Sequence, residues 1–253
     1  MALVKKILIK QIYHTYRKQG LIALFDYLIK SLIYILYRRF LGSYSQKGED
    51  LMIDKLFKHK KKGFYIDVGA YHPQMNSNTK FFYEKGWNGI NIEPNPSRIK
   101  LFLQSRKRDI NLNLGIGTNK KKAVFYEFEA TGLSTFSKRE AESLIKIGYK
   151  LKGEIKVQVY RLEEIMKKYA KVGVDFMSVD TEGLDLEVLK SNDWEKYRPK
   201  ILCIETIDFI DLLTSIKKNA SREKAINEYL LSKGYRPYSN NGLNTVYMDS
   251  KKI

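Results

Sequence analysis

The chain has 253 residues, enough for one substantial α/β domain with an appendage and a sizeable core, but tight for two full domains. Its 46 Lys and Arg against 28 acids give a net charge of +18, which points to an anionic partner such as nucleic acid, an acidic glycan or a membrane surface. The single cysteine, Cys203, excludes an internal disulfide framework and a cysteine-rich zinc site and fits a reducing interior, and His14, His59 and His72 are too scattered for a zinc triad.

Residues 1–42 are rich in Ile, Leu and Tyr and carry eight Lys or Arg with Asp26 as their only acid. The uncharged run Ser31 to Tyr37 is seven residues long, short of the roughly 20 that a membrane-spanning helix needs. Lys10 interrupts any signal-peptide core and no small-residue cleavage site follows, so the protein is expected to stay in the cytoplasm. Two readings of this basic helical extension compete. It is an amphipathic helix pair lying peripherally on the inner face of an anionic membrane, or an appendage packed on the domain or on a second subunit.

The domain proper is expected to occupy 43–253. Ser45 can cap a helix whose apolar face is Leu51, Ile53, Leu56 and Phe57. Alternatively, Gln46 and Glu49 reach over the end of the first strand and help hold a ligand there. Gly63 to Pro94 then reads as strand, tight turn, helix, strand. Phe64, Tyr65, Ile66 and Val68 form a run that ends on Asp67-Val68-Gly69, Ser77 to Lys85 supplies a short crossover helix, and Gly89 to Ile92 ends on Glu93.

In open parallel sheets a ligand sits outside the carboxyl ends of the strands, where an acid such as Glu93 can accept both hydroxyls of a ribose. The first turn, DVGAYHP, has one glycine where a dinucleotide fold wants three, so a pyrophosphate is not expected. A nucleoside without phosphates, such as S-adenosylmethionine, fits better than a nicotinamide dinucleotide. Glu93 followed by Pro-Asn-Pro can also be only a turn former.

Beyond Glu93 the rhythm continues. A basic helix runs through Arg106, strands are expected at Ile110 to Gly115, Ala123 to Phe128 and Ile155 to Tyr160, and helices at Lys138 to Ile147 and Leu162 to Tyr169. Val174 to Asp180 is a buried-type strand ending on an acid, with Thr181-Glu182-Gly183 and the helix LDLEVLK behind it. Pro199 to Ile204 repeats the pattern and ends on Glu205. A helix over Ser221 to Ser232 and an antiparallel pair around Tyr235 and Thr245 to Met248 complete the sheet.

The motifs SQKGED, GFYIDVGAYHP with SNT, GWNGINIEPNP, GLST, VDFMSVDTEG and RPKILCIE follow one another from Tyr44 to Glu205. Together they resemble the FkbM-type methyltransferase family. The resemblance implies a class I S-adenosylmethionine-dependent methyltransferase: a Rossmann-like, doubly wound, mostly parallel seven-stranded sheet whose last strand is antiparallel. It also implies O-methylation of hydroxyls on sugars or other natural products, hence a sugar, glycan or lipid-linked acceptor. Carried over by position, Asp67, Gly69 and Ala70 form the cofactor turn and Glu93 binds the ribose. Ser77, Asn78 and Thr79 lie at the helix N-terminus that faces the cofactor carboxylate, and Asp180 and Glu182 match the acid-containing motif beside the transferred methyl.

A sugar hydroxyl is a poor nucleophile, so a general base within hydrogen-bond reach, or a metal, must take its proton during attack. Asp180, His72 and Glu205 fall at strand ends on the expected ligand side, and His72 is the group whose unperturbed pKa lies nearest neutrality. Each also has a structural role open to it: Asp180 as a helix cap, His72 as the shape of the turn before Pro73, Glu205 as the partner of a lysine. Two or three of the carboxylates could hold Mg²⁺. The rival functions are a nucleic-acid methyltransferase, which the charge suggests and Asp180-Thr181-Glu182-Gly183 argues against, and a non-catalytic cofactor-binding module. No nucleic-acid partner is expected.

Overall fold

The computed structural model describes residues 40, 42–129, 132–206 and 219–251. Apart from 40 and 42, the basic extension read from residues 1–42 lies outside the described residues. Among these residues no helix is long and apolar enough to cross a membrane.

Runs that are apolar on both faces become the central strands. β1 (Phe64–Val68), β7 (Phe176–Val179) and β8 (Ile201–Glu205) are buried at every position, and β2 (Asn88–Ile92) at all but the first. Parallel strands covered by helices on both sides have this composition. Together with β3 (Ile110–Leu112), β9 (Tyr235–Asn240) and β10 (Asn244–Asp249) they form one sheet in the order β3-β2-β1-β7-β8-β10-β9. The first five pair in parallel, and β10 runs antiparallel to both β8 and β9. The implied seven-stranded sheet with an antiparallel last strand is therefore present.

The two-residue period of a strand divides the core between the faces. Phe64, Ile66 and Val68 of β1 and Leu202 and Ile204 of β8 pack with Leu162, Ile165 and Met166 of α5 (Leu162–Tyr169), Val188 and Leu189 of α6 (Asp185–Lys190), and Ile226 and Leu230 of α7 (Asn219–Ser232). Tyr65, Ile201 and Cys203 point to the other face, against Ile53 of α1 (Glu49–Leu56), Phe82 of α2 (Lys80–Glu84) and Trp87. Cys203 is buried and unpaired.

Ser45 does not cap α1, whose N-cap is Gly48, the strand expected from Ile155 starts at Leu151, and two elements differ further from the sequence reading. The crossover helix is only Lys80–Glu84, because Ser77 Oγ accepts the Lys80 N–H (3.2 Å) and Thr79 Oγ1 donates to Asp67 (2.6 Å), which leaves the first turn irregular. The third strand splits. Asn113 Nδ2 donates to the carbonyls of Glu93 and Pro94 (2.9 Å each), and the chain beyond it, β4 (Gly115–Ile116), joins a second sheet with β5 (Lys121–Phe128) and β6 (Leu151–Tyr160). The remaining helices, α3 (Pro96–Ser105) and α4 (Lys138–Lys146), follow their expected spans within a residue or two.

Strand order reverses between β1 and β7, and a cleft opens at the carboxyl ends of the strands there. Register aligns those ends: Val68 pairs with Ile92 and Val179, and Val179 with Ile204. Gly69, Glu93, Asp180 and Glu205, each the next residue, therefore stand at one level along the edge of the sheet.

Candidate active site

Gly69 turns the chain at the centre of that edge with φ +78°. A Cβ there would lie 1.7 Å from the Asp180 carbonyl oxygen, so only glycine lets the ends of β1 and β7 come this close. The Gly69 and Ala70 amides both donate to the Ile92 carbonyl (3.0 Å each), which fixes the turn against β2. Tyr71 continues it in the left-handed region at φ +54°, and its N–H donates to Glu93 Oε2 (2.9 Å). Asn95 N–H donates to Glu93 Oε1 (2.8 Å). Burial pushes the Glu93 carboxyl up to about 7, against the opposing pull of Arg98 and these two amides. Two amides use only half of a carboxylate's accepting capacity, so the group can still receive hydroxyls.

Around this edge lies a cavity of about 160 Å³, roughly ten times what one water requires. Leu114, Ile116, Phe125 and Phe136 give it apolar walls. Of the residues singled out from sequence, Gln46, Asp67, Gly69, Ala70, Asn78, Glu93, Asp180 and Glu182 all line it. Asn78 Nδ2 is held by Ser178 Oγ (3.0 Å), and the Glu182 carbonyl by Thr135 Oγ1 (3.2 Å). Asp67 is buried, and burial lifts its carboxyl to about 6 although Thr79 donates to it.

The other five predicted residues do not line the cavity. Glu49 Oε1 accepts from Asn241 and Asn244 (2.7 Å each) and Oε2 from Lys47 N–H (2.8 Å), so it ties its loop to the hairpin of β9 and β10. Ser77 and Thr79 turn inward onto Arg106, a fully buried guanidinium that donates to Ser77 Oγ and Tyr65 Oη (3.0 Å each) and, through Nε, to the Pro73 carbonyl (3.0 Å). His72 Nδ1 accepts the N–H groups of Gln74 and Met75 (3.1 Å each). Burial, with Arg98 and Arg106 adding to it, lowers the His72 pKa to about 4, so the expectation that it titrates near neutrality is corrected and the turn-shaping role is the one observed.

Glu205 is buried within hydrogen-bonding reach of Asp180 and 3.5 Å from Arg222. No lysine pairs with it among the described residues. Burial, reinforced by Asp180, Glu182 and Asp185, holds its carboxyl well above the ordinary range, and Oε2 accepts no hydrogen bond among the described residues. A proton on Glu205 donated to Asp180 resolves both facts. Asp180 does not cap α6, whose N-cap is Leu184; Asp185 Oδ1 instead accepts the Thr181 N–H (2.9 Å). Burial and the neighbouring Asp185 raise Asp180 to about 7.

Sequence reading missed Tyr71, Arg98, Asp185 and Arg222. Asp185 and Arg222 form an ion pair across 37 positions of chain; no local pattern announces it. Tyr71 was legible in part, since it follows the glycine turn directly. The Mg²⁺ reading finds no support: among the described residues no group of three or more His, Cys, Asp or Glu side chains could hold a metal ion. A nucleoside fits the residues present, with a partly satisfied buried acid, a glycine turn that no Cβ could share, and apolar walls for a base.

Several solved structures share parts of this architecture at low identity. The METTL16 MTase domain is 12% identical, covering 89% of this chain and 80% of its own, with a TM-score of 0.45. A precorrin-6y C5,15-methyltransferase from Geobacter metallireducens is 13% identical over 80% of this chain and 87% of its own, with a TM-score of 0.36. The 1,6-didemethyltoxoflavin-N1-methyltransferase of Burkholderia thailandensis, which holds S-adenosylhomocysteine, is 10% identical over 88% of this chain and 87% of its own, with a TM-score of 0.39. Comparison with curated protein sequences finds no match. Residues 67–237, more than half of the chain, match the model of the methyltransferase FkbM domain. The chain belongs to the FkbM methyltransferase family and is a methyltransferase.

Proposed function

We propose that the chain is an S-adenosylmethionine-dependent O-methyltransferase acting on a hydroxyl of a sugar, glycan or lipid-linked acceptor. The observation that carries this reading is Asp180: a cavity-lining carboxyl level with Glu93 and raised to about 7. A general base works best with a pKa near the operating pH, and a hydroxyl acceptor is the substrate class that needs one.

S-adenosylmethionine supplies a methyl group on a sulfonium whose positive charge is lost on transfer. This chain's residues do the rest. Glu93 accepts the ribose hydroxyls, Leu114 and Ile116 flank the base, and Gly69 and Ala70 let the backbone lie against the nucleoside. Gln46 and Asn78 present polar groups toward the amino-acid end. Asp180 takes the acceptor's proton onto its carboxylate, and Glu205 behind it keeps one proton in the pair, so the cluster does not hold two adjacent charges. The Asp185–Arg222 ion pair steadies the cluster from α7.

The aromatic walls, Phe125 and Phe136, supply faces on which a sugar ring can stack. The basic composition suits an acceptor presented at an anionic membrane surface on the cytoplasmic side, with residues 1–42 as the contact. The test is methyl transfer from labelled S-adenosylmethionine to glycans, lipid-linked sugars and RNA, with wild type and Asp180→Asn side by side. Label entering base-stable sugar ethers with wild type alone is the expected result. Label in RNA, or equal labelling by Asp180→Asn, overturns the reading.

A further inference from the structure

The Arg98 side chain lines the cavity from the first turn of α3. Its guanidinium lies over the ring of Tyr71, 4.2 Å from the centroid. A planar guanidinium on an aromatic face is a stacked, pre-organised cation rather than a wandering one. The same Tyr71 donates its backbone N–H to Glu93 Oε2, and its ring end lies 3.9 Å from where a Cβ on Gly132 would be. Tyr71 is therefore held by Glu93 at its backbone, and Arg98 is stacked on its ring.

Asp67, from β1, opposes the ionisation of Glu93; Arg98, from α3, favours it; burial opposes it. On the far side of Asn95, Glu127 of β5 accepts from Asn95 Nδ2 (2.8 Å) and is neutralised by Lys152 of β6 (2.8 Å). Burial, with Arg98 and Arg106 adding to it, lowers the His72 pKa to about 4, so it brings no charge to this face at neutral pH. Arg98 is thus the cation set against the burial of Glu93 and the charge of Asp67.

We propose that Arg98, held flat on Tyr71, is a positioning residue for the cofactor: its charge favours the carboxylate form of the buried Glu93, which can then accept both ribose hydroxyls of the adenosyl group. The inference rests on the cofactor reading above. It makes cofactor affinity depend on pH through a residue that need not touch the cofactor.

The probe is S-adenosylhomocysteine, with its binding followed by calorimetry at pH 7 and pH 9. A neighbouring opposite charge is worth about one pKa unit or more to a carboxyl, so Arg98→Met is expected to bind about five-fold more weakly at pH 7 and within about two-fold of wild type at pH 9. Arg98→Lys should restore part of the loss. Tyr71→Ala should reproduce the pH-dependent loss, and Tyr71→Phe, which keeps a ring beneath the guanidinium, should show less of it. Equal weakening of Arg98→Met at both pH values means direct contact with the ligand and overturns the proposal, as does no weakening at either.

A second measurement needs no cofactor. The ¹³C carboxyl resonance of Glu93, assigned by its loss in Glu93→Gln, should titrate about one pH unit higher in Arg98→Met than in wild type. An unmoved titration overturns the proposal. A moved titration with no binding of S-adenosylhomocysteine by wild type instead sinks the cofactor reading and leaves the electrostatic role of Arg98 standing.

Discussion

Replacing Gly69 by alanine tests the closest contact in the site. An L-residue at φ +78° costs about 1–2 kcal/mol, and alanine would pay this wherever the chain takes such a turn. At Gly69 there is a second cost. The new Cβ would lie 1.7 Å from the Asp180 carbonyl oxygen, so the ends of β1 and β7 must separate by more than an ångström. The bonds that hold those ends, Asp180 N–H to Val68 (3.0 Å) and Gly69 and Ala70 N–H to Ile92 (3.0 Å each), are the ones stretched. Losing one buried bond adds about 1–3 kcal/mol, for a total near 2–5 kcal/mol. Gly86→Ala is the control: its φ is +95°, but nothing lies within 4 Å of the added Cβ, so it carries the backbone cost alone. Urea unfolding of both variants, with S-adenosylhomocysteine calorimetry on each, gives the comparison. Gly69→Ala should be destabilised by about 1–3 kcal/mol beyond Gly86→Ala and should lose ligand binding, which Gly86→Ala keeps. Equal destabilisation of the two, or wild-type affinity in Gly69→Ala, refutes the argument.

Glu93→Gln should weaken S-adenosylhomocysteine by about 10- to 100-fold, since hydrogen bonds to a charged acceptor are worth roughly 1.5–3 kcal/mol. The same variant bears on stability. Burial lifts Glu93 from 4.5 to about 7 and Asp67 from 3.8 to about 6, so the folded chain keeps protons that the unfolded chain has released. The stability they lend is complete below about pH 4 and is lost as pH rises through 6 to 7, at most about 3 kcal/mol per group. Thermal melts should therefore show Glu93→Gln gaining on wild type between pH 5 and pH 8, and a difference that does not change with pH contradicts the assignment. Asp180→Asn should retain ligand binding while methyl transfer falls about 10²- to 10⁴-fold, whereas Glu205→Gln should chiefly move the pH–rate profile. Equal losses from the two substitutions would mean that Glu205 is itself the base. Arg106→Met should cost about 3–5 kcal/mol in urea unfolding, because it strands Asp109, 3.6 Å away, as a buried charge without its partner; wild-type stability would show that the network around Tyr65 does not depend on it.

Most of the architecture was legible because these strands announce themselves twice. Their residues are apolar on both faces, and each ends on an acid or a glycine that marks the edge of the sheet. Helix Leu162–Tyr169 falls at its expected bounds, with amphipathic spacing and Glu164 reaching back to the Arg161 N–H (3.0 Å) to close its first turn. The failures have a different origin. At Ser77 and Thr79 a local helix pattern lost to tertiary bonds with Arg106 and Asp67, and at Asn113 one side chain, by capping two carbonyls, sent the continuing strand into a second sheet. Both depend on partners about 12 to 29 positions distant, which a window of local periodicity does not contain.

The acids at the strand ends show why position along a strand locates a site but does not assign its roles. Glu93, Asp180 and Glu205 follow the same pattern in sequence, an apolar run closed by a carboxylate, and register brings them to one level. What separates them is the second side of each group. Glu93 receives two backbone amides and faces Arg98, an environment for an accepting anion. Asp180 has other carboxyls as neighbours and opens on the cavity, an environment for a group that exchanges a proton near neutral pH. Glu205 is enclosed beside Arg222, where burial, reinforced by Asp180, holds its carboxyl well above the ordinary range. Glu93 and Asp180 are both raised to about 7, so it is the partners around each carboxyl that let one edge of a sheet bind with one acid and deprotonate with another. Of the groups beside these acids, Arg98 comes from α3, directly after β2, and Asp185 from α6, while Arg222 reaches in from α7, 37 positions beyond Asp185. A site of this kind becomes readable only when the helices are placed.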